Sequence, residues 1–183
     1  IRKSVNLSHK SQVLASNIDL AFLVTTLSNP VTSLNFIDRF LVQAKAYAIE
    51  AKIIFNKIDL YDQKLMDKKK QYQKIYNTIG YETFSTSIHS QKNLGKIKKI
   101  ISNKVTVFSG HSGVGKSSLV NLIEPNLCLK TKDISDYHGQ GVHTTTHAEM
   151  FPLSFGGHVI DTPGIKGLGL VDNAPELRAK MET

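Results

Sequence analysis

Gly110-His111-Ser112-Gly113-Val114-Gly115-Lys116-Ser117-Ser118 matches the pattern G-x-x-x-x-G-K-[ST] in full. It stands between a strand-like run, Val105-Thr106-Val107-Phe108, and a helical segment, Lys116 to Ile123. A strand before and a helix after are the context in which this pattern cradles phosphate. Gly110, Gly113 and Gly115 let the backbone turn its N–H groups toward phosphate oxygens, with His111, Ser112, Val114 and Ser118 completing the loop. The helix N-terminus adds partial positive charge. Lys116 is expected to reach the β- and γ-phosphates, and Ser117 to place its hydroxyl on Mg²⁺. A chance glycine-rich turn is the bland alternative, and the flanking elements disfavour it.

Upstream, Asn56-Lys57-Ile58-Asp59 closes the apolar run Lys52-Ile53-Ile54-Phe55. Ligands bind at strand ends of this kind in doubly wound sheets. A carboxylate at Asp59 can accept from both N1–H and the exocyclic amine of guanine, whereas adenine offers it a lone pair at N1. A mismatch that leaves a buried polar group unpaired discriminates by roughly 10⁴-fold. The tetrad is weak alone and strong beside a phosphate loop. Ser85-Thr86-Ser87-Ile88, after the next strand, is placed to offer backbone N–H groups to guanine O6, above all from Ser87 and Ile88, with a plain strand end as the alternative. Downstream, Asp161-Thr162-Pro163-Gly164 follows Val159-Ile160. Asp161 is expected to hold Mg²⁺ through water and Gly164 to sense the γ-phosphate through its N–H.

The order is base reader, phosphate loop, sensor. Small GTPases ordinarily run phosphate loop, sensor, base reader, so the expectation is a circularly permuted GTPase domain. Ile165 occupies the position where an amide side chain often positions the attacking water, and isoleucine cannot hydrogen-bond one. His143, in Gly139-Gln140-Gly141-Val142-His143-Thr144-Thr145-Thr146, is the nearest candidate for that task. An ordinary solvated loop histidine is its equal alternative. Thr144 or Thr145 is expected to bind Mg²⁺ from this loop, with Thr145 favoured by its distance to the following strand. Gly113 stands where potassium-activated relatives place an asparagine, so no monovalent cation is expected.

The rest of the chain supports one α/β domain. Its 183 residues, 40% hydrophobic and 21% charged, suffice for a sizeable core. Ile18 to Thr25 reads as a strand buried on both faces. Ser33 caps a helix whose buried stripe is Leu34, Ile37, Phe40, Leu41, Ala44 and Ala48. Asp62 opens a helix through Leu65, Met66, Tyr72, Ile75, Tyr76 and Ile79, closed by Gly80, with Lys68-Lys69-Lys70 on its wet side. Tyr81 to Ser87 is a further strand, and Asn93 caps a helix carrying Leu94, Ile97, Ile100 and Ile101. Gly156-Gly157 turns a hairpin. The expected architecture is a P-loop NTPase three-layer sandwich on a mainly parallel sheet of about six strands. No apolar run approaches a membrane span, and Cys128, the sole cysteine, cannot form a disulfide framework or a multi-cysteine zinc site. The net charge of +8 favours an acidic partner such as RNA.

These motifs in this order, with Gly-His-Ser-Gly-Val-Gly-Lys-Ser-Ser-Leu-Val-Asn, His-Thr-Thr-Thr-His-Ala-Glu and Asp-Thr-Pro-Gly-Ile, closely resemble the ribosome small-subunit-dependent GTPase A family. The resemblance runs from Arg2 to about Asp172. It implies a cytoplasmic, monomeric, non-membrane GTPase that binds the small ribosomal subunit and its rRNA late in assembly. Hydrolysis of GTP to GDP would be stimulated by that subunit and rely on the switch-loop histidine, which matches His143. It divides the chain into an exit linker from an oligonucleotide-binding domain (1–15), the permuted GTPase domain (16–172) and an unassigned tail (173–183). Relatives carry zinc in a later cysteine-rich segment. Asn173 to Thr183 supplies no such ligands, so zinc is expected only outside this chain. Two competing readings remain at this point: a kinase on a P-loop scaffold, and a GTP-binding adaptor that does not hydrolyse, the latter suggested by Ile165.

Overall fold

A computed structural model describes residues 17–129 and 149–161. Within them the chain runs β1 (Leu20–Thr25), α1 (Leu34–Ala46), β2 (Glu50–Phe55), α2 (Gln63–Thr78), β3 (Thr83–Ser85), α3 (Leu94–Ile101), β4 (Val105–Ser109), α4 (Lys116–Ile123), β5 (Glu149–Pro152) and β6 (His158–Asp161). The six strands form one sheet in the order β3-β2-β1-β4-β6-β5. All pairings are parallel except β5 with β6. The hairpin expected at Gly156-Gly157 supplies that antiparallel edge.

Alternation along the strands builds two cores. Phe22, Val24, Ile54, Phe84, Phe108 and Val159 face α3 and α4, meeting Ile97, Ile101, Leu119 and Ile123. Ala21, Leu23, Ile53, Phe55, Val107 and Ile160 face the other way, meeting Ile37, Phe40 and Leu41 of α1 and Tyr76 of α2. Because both faces are covered, β1 is buried at every position, as its unbroken apolar run requires.

Local chemistry sets the ends. The Ser33 and Asp62 side chains accept from the N–H groups of Phe36 and Leu65, capping α1 and α2. Several expectations are corrected. Leu34 is 37% exposed, and Ala48 lies beyond α1 with φ of 54°, so the stripe of α1 is narrower than the sequence suggests. Ile75 and Ile79 of α2 are exposed at 53% and 60%, because Tyr76, not they, points at the sheet. Lys69 is not on the wet side of α2: it is buried, and its Nζ donates to Ser85 Oγ at 3.0 Å across the edge strand. Burial lowers its pKa from the ordinary lysine value. Asn93 sits at the start of α3 in the left-handed region without a side-chain cap. Its Nδ2 instead donates to Ser85 O at 2.7 Å, which ties α3 to the end of β3.

Glu124 follows α4 and is buried, and its Oε2 accepts from Ser154 N at 2.8 Å. Hydrogen bonding from Ser154 holds its carboxyl below the usual carboxylate range, against the opposing effect of burial. A depressed folded pKa gives stability that is complete above the unfolded pKa and lost as pH falls through the folded one. Glu124→Leu, which leaves the Ser154 N–H unpaired, is expected to cost ~1–3 kcal/mol at pH 7 by urea unfolding. The difference from wild type should shrink in acid, and a difference independent of pH would contradict the assignment.

Candidate nucleotide site

Strand order reverses between β1 and β4: β2 and β3 lie to one side, β6 and β5 to the other. Crevices at such a reversal, beyond the carboxyl ends of the strands, are where open α/β sheets bind ligands. Here β4 runs into the phosphate loop, β1 ends at Thr25 beside it, and β2 ends at Asn56 on the far side of β1. The two motifs, separated by more than fifty positions in sequence, therefore open on the same edge.

The loop geometry follows from its glycines and one valine. Gly110 has φ of 144°, and a Cβ there would overlap the carbonyl oxygen of Val24 at the end of β1. Gly115 has φ of 92°, and a Cβ would lie 2.6 Å from Asn56 Nδ2. No other residue type fits either place. Val114 is fully buried and fixes the loop to the core between β1 and α4. Lys116 opens α4 and is itself buried, with Nζ donating to Gly110 O at 2.9 Å and His111 O at 3.0 Å. The ammonium thus lies across the loop. Ser117 and Ser118 follow it in the first turn of α4. His111 meets the ring of Phe36 at a centroid distance of 3.9 Å. Burial, then the charge of Lys116, lowers its pKa.

The Asn56–Asp59 tetrad is joined to this loop through Asn56. That residue is 1% exposed. Its Nδ2 donates to Val114 O at 2.9 Å, and its Oδ1 accepts from Thr86 Oγ1 at 2.8 Å. One amide hydrogen remains for a ligand. Lys57 is in the left-handed region with φ of 59°, and its Nζ donates to Asn29 O at 2.9 Å. Burial lowers its pKa, opposed by the charge of Asp59. The Tyr61 hydroxyl donates to Asn56 O at 3.0 Å and accepts from Leu27 N at 2.8 Å. The segment after β1 is thereby held against both motifs, with Pro30 alongside Gly113. Among the described residues Asp59 makes no short side-chain hydrogen bond, and His89 Nε2 lies 3.9 Å from its Oδ2. Ser87 is buried, its Oγ accepting from His89 N, while Ile88 is exposed.

Asn56, Lys57, Ile58, Asp59, Ser87, Ile88 and the Gly110–Ser118 loop are thus gathered at one edge. Asp161 ends β6, its Cα paired in register with Phe108 of β4, two residues from the loop. His143, Thr145 and Gly164 lie outside the described residues. Sequence reasoning placed Thr86 in a stretch expected to meet the base through its backbone and missed the bond from its hydroxyl to Asn56; it missed Tyr61, Phe36 and Asn29 altogether, none of which carries a local signal. Among the described residues no cluster of metal-ligating side chains occurs, and no helix is long and apolar enough to cross a membrane.

The family model described as RsgA GTPase matches residues 1–171. The small ribosomal subunit biogenesis GTPase RsgA of Flavobacterium psychrophilum is 56% identical over 176 residues, covering 96% of this chain and 54% of that protein. Its counterpart in one Bacteroides fragilis strain is 48% identical over 176 residues, covering 96% and 57%. Among solved structures, YjeQ from Thermotoga maritima superposes with a TM-score of 0.68 at 37% identity, covering 81% of this chain and 48% of that one. YloQ, a circularly permuted GTPase, superposes with a TM-score of 0.65 at 37% identity, covering 86% and 48%. The chain spans about half the length of the curated relatives it matches. The P-loop fold with permuted motif order is borne out.

The Asn56 bridge is directly testable. Thr86→Val keeps shape but strips Asn56 Oδ1 of its donor in a buried place. The expected cost is ~1–3 kcal/mol by urea unfolding. In a cycle with Asn56→Ala the two losses should not add. Additive losses would mean that the two side chains do not act together.

Proposed function

The chain belongs to the RsgA GTPase family, and on that premise we propose that it binds GTP and hydrolyses it to GDP and phosphate during late maturation of the small ribosomal subunit. The observation that carries this reading is the Asn56 bridge: one side chain joins the base-reading strand end to the phosphate loop, so both ends of one guanosine nucleotide are served by a single rigid edge.

The residues divide the work by chemistry. The loop backbone from Gly110 to Ser118 and the Lys116 ammonium take the phosphates. Lys116 already lies across the loop on two carbonyls, so it can shift to phosphate oxygens over a short path. Asp59, with no short hydrogen bond of its own, is free to accept from guanine N1–H and its amine. The remaining Asn56 amide hydrogen, Lys57 and Ile58 line the same base, and the backbone at Ser87 and Ile88 offers donors to O6. Ser117, Thr145 and Asp161 are hard oxygen donors of the kind Mg²⁺ takes, Asp161 through water. The described part fits that role, since Ser117 follows the loop and Asp161 ends the strand next to it. The ion would neutralise charge developing on the transferred phosphoryl group. Gly164 would sense the γ-phosphate through its N–H. His143 would orient or deprotonate the attacking water, as Ile165 cannot.

The partner proposed is the small ribosomal subunit and its rRNA, which stimulates turnover, with the chain acting as a cytoplasmic monomer away from membranes. The names of the relatives and the basic charge support this. Zinc belongs, on this reading, to a cysteine-rich segment outside the chain.

GTP hydrolysis titrated with purified small subunits tests the proposal: turnover should rise with subunit concentration, and a flat response would favour a non-hydrolysing adaptor. Label from the γ-phosphate should pass to water; its transfer to another acceptor would indicate a kinase. Asp59→Asn should abolish the preference for GTP over ATP, whereas Lys116→Ala should weaken triphosphate binding. His143→Ala should lower stimulated turnover about 10²-fold or more with nucleotide affinity near wild type, and an unchanged rate would remove His143 from the mechanism.

A further inference from the structure

From Thr83 to Ile123 the chain contains six lysines and no aspartate or glutamate. Three of those lysines are engaged. Lys104 Nζ lies 3.4 Å from Glu50 Oε2, Lys98 sits 4.4 Å over the ring of Phe155, and Lys116 bridges the loop carbonyls. The other three, Lys92, Lys96 and Lys99, are exposed. Among the described residues no carboxylate pairs with them.

Their placement is fixed from beneath. Ile97 and Ile101 of α3 are fully buried against the sheet, so Lys96 and Lys99 stand on the outer side. Lys92 precedes the helix in a segment held twice to β3: Gln91 N donates to Ser87 O at 3.1 Å and Asn93 Nδ2 to Ser85 O at 2.7 Å. Lys92 is also close enough to Lys69 for its charge to oppose protonation there. Like charges one helical turn apart weaken a helix slightly, and stable surfaces ordinarily intersperse the two signs. The lysines of α2 follow that habit, with Asp62 and Asp67 among them and Lys70 paired to Asp67. The outer side of α3 does not.

We infer that the outer side of α3, through Lys92, Lys96 and Lys99, is a docking face for the phosphate backbone of RNA in the small ribosomal subunit. The inference rests on the subunit partnership proposed above and adds the surface that makes the contact. An acid-free row of solvated ammonium groups suits a ligand that presents regularly spaced negative charge, and it reads no sequence. Because the same segment hangs from Ser85 and Ser87, RNA held there bears on the strand end that faces the base.

The experiment measures binding of the full chain, loaded with a non-hydrolysable GTP analogue, to purified small subunits over a range of salt. Three proteins are compared: wild type, Lys92→Gln/Lys96→Gln/Lys99→Gln, and a charge-matched control on α2, Lys64→Gln/Lys68→Gln/Lys74→Gln. The α3 variant should bind roughly ten-fold or more weakly, with the slope of log affinity against log salt reduced by about 2, as expected for three lost phosphate contacts. The α2 control should change affinity less than about two-fold on the same scale. Fluorescent GDP should bind all three alike. Equal binding by wild type and the α3 variant, or equal losses in both variants, would overturn the docking face while leaving the partnership intact. A wild type that binds neither subunits nor naked rRNA would overturn both. Competition by polyglutamate as effective as by polyuridylate at equal charge would overturn the assignment to RNA.

Discussion

The Asn56 side chain is the constraint on which the site depends. A primary amide has two donors and two acceptor positions, and burial makes each of them costly to leave unmet. Here Asn56 Nδ2 donates one hydrogen to Val114 O, and its Oδ1 accepts from Thr86 Oγ1. The phosphate loop, the end of β2 and the end of β3 are thereby locked in one relative position. Gly115 must lack a side chain because Asn56 Nδ2 occupies the space a Cβ would need. The glycine of the phosphate motif and the asparagine of the base motif are two halves of a single steric fit.

Around that bridge the segment following β1 acts as a brace. Leu27 N–H, Asn29 O and Pro30 meet Tyr61, Lys57 and Gly113 respectively. Lys57 and Tyr61 flank the single turn Ile58–Leu60 after β2, while Gly113 belongs to the glycine-rich loop after β4. The brace therefore ties the end of β2 to that loop and resists their separation. Phe36, in the first turn of α1, extends it by covering His111. Burial, then the charge of Lys116, disfavours the protonated imidazole there.

The motifs and their order were legible because they are local: a glycine pattern between strand and helix, an acidic residue after an apolar run, hydroxyl and carboxylate caps at Ser33 and Asp62. The alternation of strand-like and helical segments implied a mainly parallel sheet of about six strands, and the structure has one, with β1 lying between β2 and β4. What was not legible depends on neighbours distant in sequence. Lys69 sits in a run of three lysines that reads as solvated, yet the short edge strand β3 leaves room for its stem to reach Ser85. Asn93 looks like a helix cap, but its backbone is left-handed and its side chain caps nothing; its Nδ2 instead donates to the carbonyl of Ser85, back at the end of β3. Tyr61 carries no motif at all, and its hydroxyl finds its three partners only after β1 and β2 have paired.

The permuted order has a mechanical consequence. With the base reader first, the only covalent link from the base-reading edge to the phosphate loop is the crossover from β3 through α3 to β4. That crossover leaves the outer strand and returns to the middle of the sheet, passing over β2 and β1. Here Ser85 and Ser87 anchor one end of the crossover, and Ser109, the last residue of β4, delivers the other into Gly110. A force applied to α3 from outside is transmitted by the chain itself to both the base end and the phosphate end. The same segment is the one from which every carboxylate has been excluded. The lysine face proposed for RNA and the connection made by permutation coincide in one helix, so a load on that face is carried by the chain to the ends of both β3 and β4.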